Sequence, residues 1–170
     1  MSKLRILFIT LSLLLVAGYA QAGTWYSPLT AVAVETTGPA TMISVKPDSP
    51  PEAIIVKPTS GVVTAENEQW VQVGLPAEGQ KVIKGLEICY QVNAAEGSTY
   101  IDTVRLTRMT APDTPFVLYE STMPLNSTDP ICQELGMSPR KVKGAITLSL
   151  RVVFGNVLDS IKIGGIKLVY

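Results

Sequence analysis

The 170-residue chain contains no histidine. That absence excludes Ser-His-Asp and Cys-His catalysis and every His-ligated zinc or iron site. Carboxylate pairs and Ser-Lys arrangements survive it. Calcium, which needs only oxygen ligands, is the one cofactor left open; no other is expected. Neither sign of charge is in excess: 14 Lys+Arg face 14 Asp+Glu. No continuous basic run is present, so the sequence points away from nucleic acid and from a membrane-surface or heparin patch. Aromatic residues make up only 6% of the chain. That is too few for the two girdles of an outer-membrane barrel, although Ile166, Leu168 and Tyr170 end the sequence in an alternation resembling such a barrel's closing strand.

What is present begins with an address. Lys3 and Arg5 precede an apolar run of 12 residues, Ile6 to Ala17, and Ala20-Gln21-Ala22 follows. A short positive start, an apolar stretch too short to span a bilayer and a small-x-small site describe a secretory signal peptide. Cleavage is expected between Ala22 and Gly23, the alternative being an uncleaved anchor. The mature chain would then carry 12 Lys+Arg against 14 Asp+Glu. No second apolar segment is long enough for a membrane helix, so a secreted or periplasmic protein without a membrane span is expected.

Residues 23–67 hold half of the prolines, Pro28, Pro39, Pro47, Pro50, Pro51 and Pro58. Proline gives no N–H to a ladder, so the apolar runs between them (Ala31–Val34, Met42–Val45, Ile54–Val56, Val62–Val63) read as short or edge strands. From residue 68 the pattern is cleaner, and 68–170 is the expected core of one domain spanning 23–170. Trp70–Leu75 reads as a strand, Ala77–Gln80 as a turn, and Lys81–Val92 as the central strand, with Leu86, Ile88, Tyr90 and Val92 on one face. Tyr100–Met109, Phe116–Glu120, Gly144–Phe154 and Ser160–Tyr170 continue the series. In the last, the apolar parity changes at Gly164-Gly165, which predicts a β-bulge. Ser121–Arg140 shows no strand pattern and reads as a long loop. Short strands separated by Gly/Pro turns predict an all-β, antiparallel β-sandwich with little or no helix. The layout resembles generic jelly-roll-like modules of secreted bacterial proteins.

Cys89 and Cys132 are the only cysteines. An oxidising compartment would join them. Cys89 shares its parity with Glu87 and Gln91, so the bridge is expected to tie the loop holding Cys132 across the outer, polar face.

Candidate sites are few. Asn126, Ser127, Thr128 and Asp129, near Asp113 and Glu120 in sequence, could form a polar ligand or calcium loop, or could satisfy their own backbone as turn residues. Asn126-Ser127-Thr128 also matches a glycosylation acceptor. Trp25 and Tyr26 are the expected exposed stacking aromatics, whereas Trp70, with apolar neighbours, is expected in the core. Glu87, Asp102 and Glu120 would need to converge to hydrolyse a glycosidic bond. No catalytic, cofactor-binding or metal residues are assigned. The expected protein is a secreted, non-enzymatic β-sandwich binding a polysaccharide or an extracellular protein through loops. The alternatives are a structural or surface-assembly component and a small carboxylate-dependent hydrolase.

Overall fold

The computed structural model describes residues 22–35, 43–49, 52–95, 98–111 and 114–170. The expected signal peptide falls almost wholly outside them, as do Met42 and Asp113. The described residues form nine strands: β1 Gly23–Tyr26, β2 Val32–Glu35, β3 Ile43–Pro47, β4 Ile54–Pro58, β5 Gln69–Asn93, β6 Tyr100–Ala111, β7 Thr114–Ser121, β8 Ile131–Val153 and β9 Ser160–Val169. Every pairing between them is antiparallel. The result is the predicted sandwich, with its inner faces sharing one apolar core.

Two long strands serve both layers. β5 spans 25 residues and β8 spans 23. The first half of β5 pairs with β2 and with the second half of β8, which β6 and β7 extend. The second half of β5 pairs with β9 and with the first half of β8; β1, β4 and β3 complete that layer beyond β9. The chain therefore does not turn back at residues 77–80, as Pro76 and Gly79 had suggested. Ala77 faces Gly144 and Gln80 faces Lys143, leaving two extra residues on β5. Gly79 and Gly144 take positive φ values of 69° and 93° there. Such values favour glycine because no Cβ clashes, so the strand bends between layers without breaking.

Alternation places the core as expected. Leu86, Ile88, Tyr90 and Val92 are buried, and so are Ile146, Leu148, Leu150 and Val152. Ile166 and Leu168 also face inward, with no exposed surface. That is the reverse of a membrane barrel, which turns its apolar residues out. On β9, Ile163 faces Tyr90 and Ile166 faces Ile88, so Gly164 and Gly165 together oppose Cys89. This is the predicted bulge.

The predicted long loop is corrected in its second half. Residues 131–140 belong to β8, and Ile131, Leu135 and Met137 share the inward parity. Among the described residues this stretch of β8 pairs only with β5; Leu135 is buried there, but Ile131, Gln133 and Met137 are only half-buried, which lets a glutamine take an inner position. Polar residues at those positions weaken the alternation that identifies a strand. Cys132 thus sits on a strand, directly opposite Cys89, and the two form a disulfide across the ladder. Its position on the outer face, beside Glu87 and Gln91, matches the parity argument. Among the described residues no helix is long and apolar enough to cross a membrane.

Candidate binding face

The layer built on β9 carries a cross-strand row on its outer face: Trp25 of β1, Lys167 of β9, Glu87 of β5 and Glu134 of β8. Residues directly opposite one another in a ladder share a face, which fixes this row. Lys167 Nζ donates to Glu87 Oε2 at 3.3 Å, and it lies 5.5 Å from the centre of the Trp25 ring. The six-membered half of the indole occupies the place of a side chain at Gly165. A Cβ there would stand 3.0 Å from both Cε3 and Cζ3. The bulge glycine therefore clears the floor on which the ring rests. Trp25 nevertheless keeps 53% of its surface exposed.

Beyond the bulge, on the same face, lies an open, mostly apolar depression of about 290 Å³. Gly164, the Cys89–Cys132 bridge, Ile131 and Pro130 line it, with Gln91 and Lys162 as its polar groups. Gln91 and Lys162 face each other in the β5–β9 ladder. Gln91 Nε2 donates to the Thr128 carbonyl at 3.0 Å, which leaves its amide oxygen to accept. Lys162 pairs with Asp48. That ammonium group and the Ser49 N–H hold the Asp48 carboxyl below its ordinary value.

The four polar loop residues precede Pro130 and meet this depression through the Thr128 carbonyl on Gln91, with much of their hydrogen bonding directed at the chain itself. Val92 N–H donates to the Ser127 carbonyl, Ser127 N–H donates to Tyr90 Oη, and Ser127 Oγ donates to the Asp129 carbonyl. Asn126, Thr128 and Asp129 are exposed. Among the described residues no three acidic or cysteine side chains stand close enough to hold a metal ion.

The expected aromatic pair separates. Tyr26 has the opposite parity from Trp25 and packs against the core. Its hydroxyl donates to the Pro76 carbonyl at 2.9 Å and lies 3.2 Å from Tyr170 Oη. Trp70 is buried, as expected, yet it lies outside the apolar core. It faces Arg151 across the ladder on the outer side of the other layer. The guanidinium carbons of Arg105 and Arg151 stand 4.8 and 5.8 Å from its ring centre. Those arginines pair in turn with Glu120 and Asp102. The three carboxylates therefore do not converge. Glu87 lies on one layer, Asp102 and Glu120 on the other, and each holds a cation.

No protein-family model and no curated protein matches the sequence. Distant likenesses appear among solved structures. An isomalto-dextranase from Arthrobacter globiformis T6, complexed with panose, gives a TM-score of 0.44 at 14% identity over 86% of this chain. This chain spans only 23% of that protein's length. A family 11 carbohydrate-binding module from Clostridium thermocellum gives 0.40 at 12% identity, covering 91% of each chain. A family 29 module from Piromyces equi gives 0.33 at 11% identity, covering 86% of this chain and 90% of its own.

Proposed function

We propose that this protein is a secreted, non-enzymatic β-sandwich that binds a polysaccharide on the outer face of the layer carrying Trp25. One observation carries the reading: an indole resting on the cleared floor above Gly165, with about half of its surface still open to solvent. A pyranose presents an apolar face of C–H groups and a rim of hydroxyls. An indole seated on a sheet accepts the first by stacking, at little entropic cost because its position is already fixed. Lys167 and Glu87 flank it as hydrogen-bonding groups. The depression past Gly164 offers the adjoining unit an apolar floor with Gln91 and Lys162 at its edge. Binding thus falls on a sheet face bordered by the loop at Asn126–Asp129, rather than within that loop.

The test is titration calorimetry against a panel of soluble polysaccharides, with wild type and Trp25→Ala. A ligand of the wild type should lose at least about tenfold in affinity to the variant, equivalent to about 1.4 kcal/mol. A polysaccharide bound equally by both proteins would remove Trp25 from the site, and with it this reading.

A further inference from the structure

The bend where β5 and β8 pass between layers gathers five cations. Lys81 and Lys84 lie on β5; Arg140, Lys141 and Lys143 lie on β8. The ladder pairs Gln80 with Lys143, Lys81 with Val142, Val82 with Lys141 and Ile83 with Arg140. At a rise of about 3.3 Å per residue, these four rows span roughly 10 Å. All five side chains are exposed. Among the described residues none of them stands in an ion pair; the salt-bridged cations are Arg105, Arg151, Lys162 and Lys167. The chain as a whole has no net charge, and residues 78–84 and 140–143 set these five cations against one acidic residue, Glu78, so the bend is a local excess of positive charge.

In sequence the five form two short groups some 60 residues apart, neither of which is a basic run. Strand pairing makes them one patch. Among the described residues no third strand pairs with residues 78–84 of β5 or 131–143 of β8, so the bend is a two-stranded ribbon. Lys84, Lys141 and Lys143 share its outer side with exposed Val82. Lys81 and Arg140 flank the inner side, opposite buried Val142 and Ile83, where Lys81 Nζ lies 4.9 Å from the Tyr170 ring centre.

We infer that the polysaccharide is polyanionic, carboxylated or sulfated, and that this ribbon reads its charge; the inference rests on the function proposed above. Unpaired like charges this close repel one another, and an anionic ligand relieves that repulsion. Their arrangement favours a chain over a surface. Cations on both sides of a narrow ribbon can all be reached by a flexible polymer, whereas a flat bilayer meets one side. The ribbon is also continuous with the proposed site. Gly85, next to Lys84, faces Val169, two positions along β9 from Lys167 in the Trp25 row. One extended ligand can therefore stack on the indole and run out along the cations.

The experiment compares polygalacturonate and heparin with neutral dextran, using wild type, Trp25→Ala and the triple variant Arg140→Gln/Lys141→Gln/Lys143→Gln. The triple variant changes only exposed side chains, and its melting temperature checks that it folds. Wild type should bind one or both acidic polymers, losing at least about tenfold in affinity as salt rises from about 50 to about 200 mM. The triple variant should lose at least about tenfold at low salt. Polygalacturonate against heparin separates carboxylate from sulfate recognition. Dextran bound as tightly as the acidic polymers, without salt dependence, would overturn the inference while leaving the Trp25 site intact. Acidic binding lost in the triple variant but unchanged in Trp25→Ala would uphold the ribbon and sink the Trp25 site. Preference for phosphatidylglycerol vesicles or duplex DNA over both acidic polymers would overturn it as well.

Discussion

The two tryptophans occupy comparable places and meet opposite fates. Each stands on the outer side of a layer, on a strand that pairs with a cation-bearing neighbour: Trp25 with Lys167, Trp70 with Arg151. Trp70 is 6% exposed and Trp25 53%. The difference comes from their surroundings. Around Trp70, two guanidinium groups lie over the ring, held by Glu120 and Asp102. Around Trp25, the adjoining position is a glycine, so the ring lies down on the backbone and its far side stays open. An aromatic on the outside of a sheet is thus closed by arginines in one layer and supported by glycine in the other.

Three measurements would break or sharpen this contrast. The largest effect concerns the bridge, which only the Trp25 layer holds. Replacing Cys89 and Cys132 together with serine removes a link across 43 residues and should cost up to about 4 kcal/mol in denaturant unfolding. A loss under about 1 kcal/mol would mean that the ladder holds that layer unaided. Next, Trp70→Ala should destabilise by about 3 kcal/mol, because it leaves a void under two arginines. Trp25→Ala should cost less than about 1 kcal/mol. Equal losses would erase the distinction between a closed ring and an open one.

The smallest effect lies at the rim of the depression. The Asp48 carboxyl is held below its ordinary 3.8, first by Lys162 and then by the Ser49 N–H. A depressed value in the fold favours the charged form, so its contribution is complete above 3.8 and fades as pH falls through the lowered value. Melting temperatures of wild type and Asp48→Asn should therefore differ at neutral pH and converge in stronger acid. A gap that persists unchanged in acid would exclude this pair as its source.

Much of the architecture was legible in sequence, because a period of two is a strong signal wherever one face is buried and the other wet. The inward set on β5, the outward parity of Cys89 and the Gly164-Gly165 bulge all followed from it. Two features did not. Pro76 and Gly79 have the chemistry of a turn, and only the partner strand decides whether a positive-φ glycine reverses a chain or bends it. The start of β8 hid because a strand with a single neighbour tolerates polar residues inside; Ile131, Leu135 and Met137 were the trace it left. The candidate site was half legible. Trp25 could be named, but nothing in its neighbourhood could show that Gly165 lies beneath it. The cationic ribbon was invisible because it exists only after residues 81–84 meet 140–143.

The sharing of β5 and β8 between layers has a temporal consequence. Neither layer can be completed without both strands, and they are joined in sequence by way of β6 and β7. Contacts so distant along the chain are slow to form, since the intervening segment must be closed before it is rewarded. Cys89 and Cys132 stand opposite each other only once that ladder has zipped. Their oxidation is accordingly a built-in timestamp: quenching free thiols at intervals during refolding would record when the spine of the molecule closes.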